Sequence, residues 1–446
     1  MLKRLPNVLR SRAGSLLVPA IIAFGLVAGF AREIILASLF GTSREIEIFR
    51  VASGLPAMLS ETVAISFISV LIPVLLARSR NRGLSEAVWA VILLGVVITV
   101  LGVVTMPLQA RLLAPGIVGE NRETLIEAGW ICWGMFLALF LTIPLRAAMS
   151  VRDRIWPGAA VASLRTVGFL VVLLAILWAS GRIDAMTASW ATLAAAVFTL
   201  LFQVAVFGRG EVKRIPRALT TVPPHARIRP IVAAAGAVFV VQIIVTSSRF
   251  LDRGVSSVFE EGVLAAVEYS YAIVMAAAQI IGTSTNLVLA PKIGRALDRG
   301  EGLTRPLLRQ IGIVVGVASA AGVVLALGAP LVIALLFERG AFDAQSTALT
   351  ASVFRWQALG IGPLVLALVT TQIAILMGLQ ARLARVAMVK LAVKAASLFA
   401  LVQVMPVTAA IGISFGLAEI AMALVTIRMI CAAPATRPRD TSAKAL

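Results

Sequence analysis

Apolar residues run along this chain in long blocks, with charge gathered into short clusters between them. The blocks fall at roughly 14–40, 48–77, 86–112, 124–150, 156–180 and 185–207. A second set follows at roughly 229–251, 262–291, 307–337, 347–378, 384–404 and 407–431. Each is long enough to cross a hydrocarbon layer of roughly 30 Å as a helix. Lipid cannot satisfy open backbone groups, so helices are the expected element. The pattern predicts an all-α, polytopic membrane protein of about 12 transmembrane helices. Several blocks exceed the length needed, which predicts tilt or kinks at Gly25, Gly29, Pro56, Pro73, Pro144, Gly282 and Pro363.

The connections alternate in charge. One series carries Lys3, Arg4, Arg10 and Arg12; Arg78, Arg80 and Arg82; and Arg152 and Arg154. It continues with Arg209, Lys213, Arg214, Arg217, Arg227 and Arg229, then Lys292, Arg295, Arg299 and Arg305, then Arg382 and Arg385. The intervening loops are neutral or acidic, with Glu45, Glu47, Asp184, Glu260, Glu261 and Asp343. The positive-inside rule places both termini and every basic loop in the cytoplasm, around an even number of spans. The basic start, Met1 to Arg12, has no small-residue cleavage site after it and reads as the flank of an uncleaved first helix. The chain is read as crossing its membrane many times.

The two sets of six blocks echo each other. Ile72-Pro73 and Arg78-Ser79-Arg80-Asn81-Arg82-Gly83 find a counterpart in Ala290-Pro291 and Arg295-Ala296-Leu297-Asp298-Arg299-Gly300. Met149 to Ile155 aligns with Met377 to Leu383, each a basic turn between helices. The most polar connection divides the sets. The expected plan is an N-terminal lobe over 1–207, a basic cytoplasmic linker over 208–228, a C-terminal lobe over 229–432 and a cytoplasmic tail over 433–446. Six spans per half make both halves enter from the same side, a parallel repeat.

Composition narrows the chemistry. Apolar residues make up 60% of 446, charged residues 14%, and the mean hydropathy is +0.99. A soluble chain of this length has nearer a quarter of its residues charged. The net charge of +19 is spread over separate short loops, which argues against a nucleic-acid partner and suits anionic membrane lipid. No Gly-rich phosphate loop with Lys is present, so no built-in ATP engine is expected. One histidine, His225, and two cysteines, Cys132 and Cys431, give no metal cluster and no disulfide framework. No cofactor, metal or catalytic residue is predicted, and the chain reads as a transporter, not an enzyme.

Ionisable residues inside spans are costly, so each is a functional candidate. The first helix carries Arg32-Glu33, the second Glu61, the fifth Arg165, the seventh Arg249 and Asp252, and the eighth Glu268. Lys390, Lys394 and Glu419 lie in the last two. Arg146, Lys390 and Arg428 are near cytoplasmic ends and are expected to snorkel. Arg32 is open to pairing with Glu33 or Glu47, and Glu268 to pairing with Arg249. The leading helix pair of each half holds both signs of charge. Arginines there suit an anionic group such as a pyrophosphate, and carboxylates suit cation coupling or orientation of the arginines.

Several stretches carry a resemblance. Gly29-Phe30-Ala31-Arg32-Glu33, Leu39-Phe40-Gly41, Glu47 and Leu55-Pro56 resemble the opening of the MurJ (MviN) family of lipid II flippases. Ser66-Phe67 through Leu75, Leu113-Ala114-Pro115-Gly116 and Leu336-Phe337-Glu338-Arg339-Gly340-Ala341-Phe342 are similar to further family segments. The resemblance implies the multidrug/oligosaccharidyl-lipid/polysaccharide exporter fold, two six-helix lobes around a central, often cationic cavity. It implies a flippase that turns a lipid-linked, pyrophosphate-bearing saccharide across the membrane. Arg32, Glu33 and Glu47 inherit family positions. The sequence departs from the family at Leu26, Ser60-Glu61 and Ala272, where relatives have basic residues, and it has no two extra C-terminal helices. The acids of the family's sodium site have no clear counterpart either.

The reading is therefore a MurJ-like flippase of a polyprenyl-pyrophosphate saccharide or peptidoglycan precursor, working by alternating access. Its candidate substrate-binding residues are Arg32, Glu33, Glu47, Glu61, Arg249 and Glu268, and its coupling ion is Na+ or H+. The alternatives are a multidrug or cation antiporter of the same fold, and a non-transporting membrane scaffold for glycan synthesis.

Overall fold

The computed structural model describes residues 7–77, 80–207, 218, 220, 223–299 and 303–433. Lys3, Arg4, Arg78, Arg209, Lys213, Arg214 and Arg217, most of the linker and the tail from residue 434 lie outside the described residues. The elements among the described residues are helices. The first set is α1 (Asn7–Phe40), α2 (Arg44–Ala77), α3 (Arg80–Val104), α4 (Met106–Leu113), α5 (Glu120–Phe140), α6 (Ile143–Ser150), α7 (Trp156–Ser180) and α8 (Ala185–Phe207). The second is α9 (His225–Ser256), α10 (Val263–Asp298), α11 (Arg305–Leu327), α12 (Ala329–Phe337), α13 (Ala344–Ala358), α14 (Ile361–Leu376), α15 (Gln380–Val402) and α16 (Val407–Cys431).

Each set follows the same rhythm. Two long helices come first, then a long helix with a short one continuing it, then a span broken in the middle, then two unbroken helices. The breaks lie between α3 and α4, α5 and α6, α11 and α12, and α13 and α14. A proline stands within three residues of every restart: Pro107, Pro144, Pro330 and Pro363. Proline has no N–H and its ring collides with the carbonyl four residues back, but it fits the first turn of a new helix. The bend between α13 and α14 is 48°. Pro144 and Pro363 were expected bend points. Breaks ahead of Pro107 and Pro330 were not, because their blocks are apolar throughout.

A broken span frees carbonyls that lipid cannot satisfy, and neighbours supply the donors. Pro107 cannot bond to Val103, and the Trp130 indole N–H on α5 donates to the Val103 carbonyl at 3.1 Å. Gln109 Nε2 reaches back to the Gly102 carbonyl at 2.9 Å. Close packing accompanies these bonds, because association in lipid relies on fit between small residues. A Cβ at Gly102 would sit 2.2 Å from the Trp133 ring, and one at Gly322 would sit 2.5 Å from the Ala358 carbonyl at the second lobe's break.

Among the described residues, eight helical segments, with α5–α6 as one, are long and apolar enough to cross a membrane, and the bent α13–α14 pair makes a ninth. The remaining three of the twelve predicted spans are α2, α9 and α15. They are long, at 34, 32 and 23 residues, but charged residues interrupt them. Several of those charges, among them Glu47, Arg50, Asp252, Arg253 and Lys394, are buried in ion pairs described below.

The chain divides into two compact units, Met1–Leu39 with Ser43–Ile243, and Phe40–Thr42 with Ile244–Leu446. The boundary falls inside α9, downstream of the expected linker. In the second unit the short turn Phe40–Thr42 packs on α10 and on the loop after α12. Tyr269 Oη donates to the Gly41 carbonyl at 3.0 Å, and its ring meets Phe337 and Phe342 at 5.3 and 5.7 Å. A Cβ at Gly41 (φ +56°) would lie 2.3 Å from the Ala341 carbonyl, so this left-handed, crowded position suits only glycine. The two family-like stretches at Leu39–Gly41 and Leu336–Phe342 thus meet on one tyrosine. Asp343 caps α13 by accepting from the Ser346 backbone N–H at 2.8 Å, which holds its carboxyl below the usual range.

Candidate functional site

The charges of each unit gather near the join of its two leading helices. In the first unit, Arg32 and Glu33 lie two turns before the end of α1, and Arg50 lies two turns into α2. A turn of three residues brings them together. Glu33 is buried and accepts from both arginines: from Arg32 Nη2 at 2.6 Å and Nε at 3.2 Å on Oε1, and from Arg50 Nη2 on Oε2. Arg50 is buried, whereas the Arg32 side chain is 31% exposed.

The second unit builds the same trio differently. Arg249 and Arg253 stand one turn apart on α9, so they share a face. Glu268 on α10, 2% exposed, accepts from Arg249 Nη2 at 2.6 Å and from Arg253 Nε at 2.7 Å. Arg253 is buried, and the Arg249 side chain is 35% exposed. The Arg249 guanidinium also lies over the Tyr271 ring, 4.4 Å from its centroid, an attraction between cation and ring face.

Both trios hold one carboxylate, one buried arginine and one half-exposed arginine. Removing two charges from water is repaid only when the remaining hydrogen-bonding capacity is also met, and each carboxylate here meets it with two guanidinium groups. Each trio by itself carries one positive charge in excess. A guanidinium has five N–H donors in a rigid fork; Glu33 accepts from the Nε–Nη2 edge of Arg32, and Glu268 accepts from Nη2 of Arg249. The half-exposed Arg32 and Arg249 are therefore oriented cations suited to bidentate contact with a phosphate or pyrophosphate.

The other two predicted residues stand apart. Glu47 is buried but is held by Arg44 Nη1 at 2.5 Å within the first turn of α2. Glu61 on α2 accepts from Arg165 Nη2 on α7, a second ion pair of the same unit. Lys390, expected to snorkel, instead donates to the buried Glu419 on α16 at 2.5 Å. The pairing outweighs the pull of water because Glu419 is buried and needs a counter-charge.

Arg50 and Arg253 were missed as site residues. Arg253 was detectable from its spacing to Arg249. The register that aligns Pro73 with Pro291 also aligns Arg50 with Glu268, which marks Arg50 as the counterpart of a candidate already chosen.

The chain is similar to proteins of known type over most of its length. The profile of the family described as "Lipid II flippase MurJ" matches residues 36–439. A "Probable lipid II flippase MurJ" from Rhizobium tropici is 25% identical over 359 residues, covering 76% of this chain and 66% of the relative. Its namesake from Rickettsia prowazekii is 22% identical over 360 residues, covering 78% and 69%. The chain thus spans about two thirds of the length of these curated relatives. Among solved structures, a lipid II flippase MurJ in an inward closed conformation superposes with a TM-score of 0.76 at 15% identity, covering 93% of this chain and 87% of that one. An inward-facing multidrug resistance MATE family transporter of the MOP superfamily gives 0.72 at 16% identity, covering 94% and 98%. The structures agree on an all-helical fold, the match of 36–439 takes in the second unit's trio and Arg50 of the first, and the chain belongs to the MurJ lipid II flippase family of membrane proteins.

Proposed function

We propose that this chain is a flippase that carries a polyprenyl-pyrophosphate saccharide, a lipid II-like molecule, across the bacterial inner membrane by alternating access. Both termini lie in the cytoplasm, and the two six-helix lobes are parallel repeats of one plan. The cycle moves cargo without making or breaking a covalent bond in it.

One observation carries this reading more than the rest. Each unit holds a half-exposed arginine, Arg32 or Arg249, whose orientation is set by a buried carboxylate and backed by a second, buried arginine. In this proposal Arg32 and Arg249 contact the pyrophosphate. Glu33 and Glu268 orient them, with Arg50 and Arg253 as counter-charges that keep those carboxylates ionised. Glu47 pairs with Arg44 within α2, Glu61 pairs with Arg165 between α2 and α7, and both are at most secondary contacts. The positions where family members carry further basic residues, here Leu26, Glu61 and Ala272, leave fewer cations for the headgroup. A polyprenyl-linked saccharide other than lipid II itself is the cargo this favours.

The test is reconstitution into sealed vesicles with a labelled polyprenyl-pyrophosphate saccharide, followed by reading how much label reaches the far leaflet. The expected result is protein-dependent translocation that a lipid-linked saccharide of the same class competes away. Absence of translocation, together with gradient-driven movement of cationic drugs, would establish the antiporter reading instead.

A further inference from the structure

A second charged network, built on other residues, lies beside the Arg249 trio in the same unit. Lys394, on α15, is 1% exposed and is among the largest fully buried side chains of the molecule. Its ammonium is surrounded by oxygen from two other helices. Asp252 Oδ1 on α9 lies at 2.7 Å, Ser414 Oγ at 2.9 Å and the Ile411 carbonyl at 3.2 Å, both on α16. One turn earlier on α15, Lys390 neutralises Glu419, so that acid is already matched.

An ammonium carries three donors: the Ile411 carbonyl and the Ser414 hydroxyl accept two, and Asp252 Oδ1 lies against it as the counter-charge. A carboxylate, a main-chain carbonyl and a hydroxyl converging in a buried place are the donor set of a hard monovalent cation. The cation at their centre is covalently part of the chain. The family resemblance raises the expectation of sodium, and this donor set does not accommodate it: the ammonium occupies the oxygens and supplies the charge that Asp252 needs.

We infer that Lys394 is a tethered cation filling an alkali-metal-type site formed by Asp252, Ile411 and Ser414, so this lobe is sodium-independent, and that removing the ammonium creates a sodium site. The inference concerns cation binding alone. Failure to flip any lipid-linked saccharide would leave it standing, and success would not establish it.

The test is thermal unfolding of the purified full chain in choline chloride and in sodium chloride at equal ionic strength. The wild type is expected to melt at the same temperature in both. Lys394→Ala is expected to melt lower in choline and to recover by several degrees in sodium, saturably, as binding to the folded state alone requires. Lys394→Met, which fills the space without charge, is expected to be destabilised in both salts with no sodium response. Lys394→Ser gives the same reading as Lys394→Ala if the latter is recovered poorly. A saturable sodium response in the wild type would overturn the inference. So would an equal response of both small variants to choline and sodium, or a failure of both to fold in either salt.

Discussion

The two lobes solve one electrostatic problem with opposite polarity. In the first, the buried pair runs from Glu33 on the leading helix to Arg50 on the next. In the second, it runs from Arg253 on the leading helix to Glu268 on the next. The half-exposed arginine then sits beside the carboxylate in one case, as Arg32, and one turn before the buried arginine in the other, as Arg249. What is common to the lobes is the composition of the trio and the half-exposed arginine, while the assignment of residues to helices is reversed. A requirement for an oriented cation explains this, since either polarity delivers one. The lobes also differ in their further ion pairs: the second has Asp252–Lys394 and Lys390–Glu419 between α9, α15 and α16, and the first has Glu61–Arg165 and Arg44–Glu47.

The largest expected effect comes from removing a shared carboxylate. Glu268→Gln leaves Arg253 buried beside Arg249 without the charge that holds them, and Glu33→Gln does the same to Arg50. Breaking a buried pair from one side costs about 3–5 kcal/mol, to be read as loss of folded protein or a large fall in melting temperature. If the trios are equivalent, the two losses match. A much smaller loss for Glu33→Gln would show that the first lobe does not depend on its trio in the same way.

A charge exchange probes the reversed polarity directly. Glu33→Arg with Arg50→Glu gives the first lobe the second lobe's arrangement and keeps the trio's composition. The double variant is expected to be more stable than the sum of its single changes by a coupling of about 0.5–3 kcal/mol. Additive losses would mean that the position of each charge matters, not only its presence. The smallest effect concerns the broken spans. Trp130→Phe removes the donor to the Val103 carbonyl ahead of Pro107 and is expected to cost about 0.5–1.5 kcal/mol. A neutral result would mean that this carbonyl finds another donor.

Much of this fold was legible because lipid imposes length and polarity on every span. The blocks at 124–150, 156–180 and 185–207 coincide closely with α5–α6, α7 and α8. The breaks at Thr105 and Gly328 were hidden because an apolar block does not reveal where its backbone bonds are interrupted. Pro107 and Pro330 were the available signals. The trios were half legible. Arg32, Glu33, Arg249 and Glu268 stood out as charges in apolar stretches, but their buried partners did not. Arg50 lies just inside the start of its block and Arg253 just beyond the end of its own, where a charge reads as interfacial. Lys394 was visible as a span charge, yet its oxygen partners come from helices distant in sequence, and no spacing rule connects them.

The central claim is that Arg32 and Arg249 are held out to meet an anionic headgroup, not to hold the fold together. Being half exposed, each is expected to contribute within about 1 kcal/mol to stability. The direct measurement is the affinity of the purified protein for a polyprenyl-pyrophosphate saccharide, compared between wild type and Arg32→Gln/Arg249→Gln, with melting temperature recorded on the same samples. The account predicts a near-unchanged melting temperature and binding weakened by about tenfold or more, with no weakening towards a neutral polyprenyl lipid. Unchanged binding by the folded double variant, or an equal loss towards the neutral lipid, would contradict it.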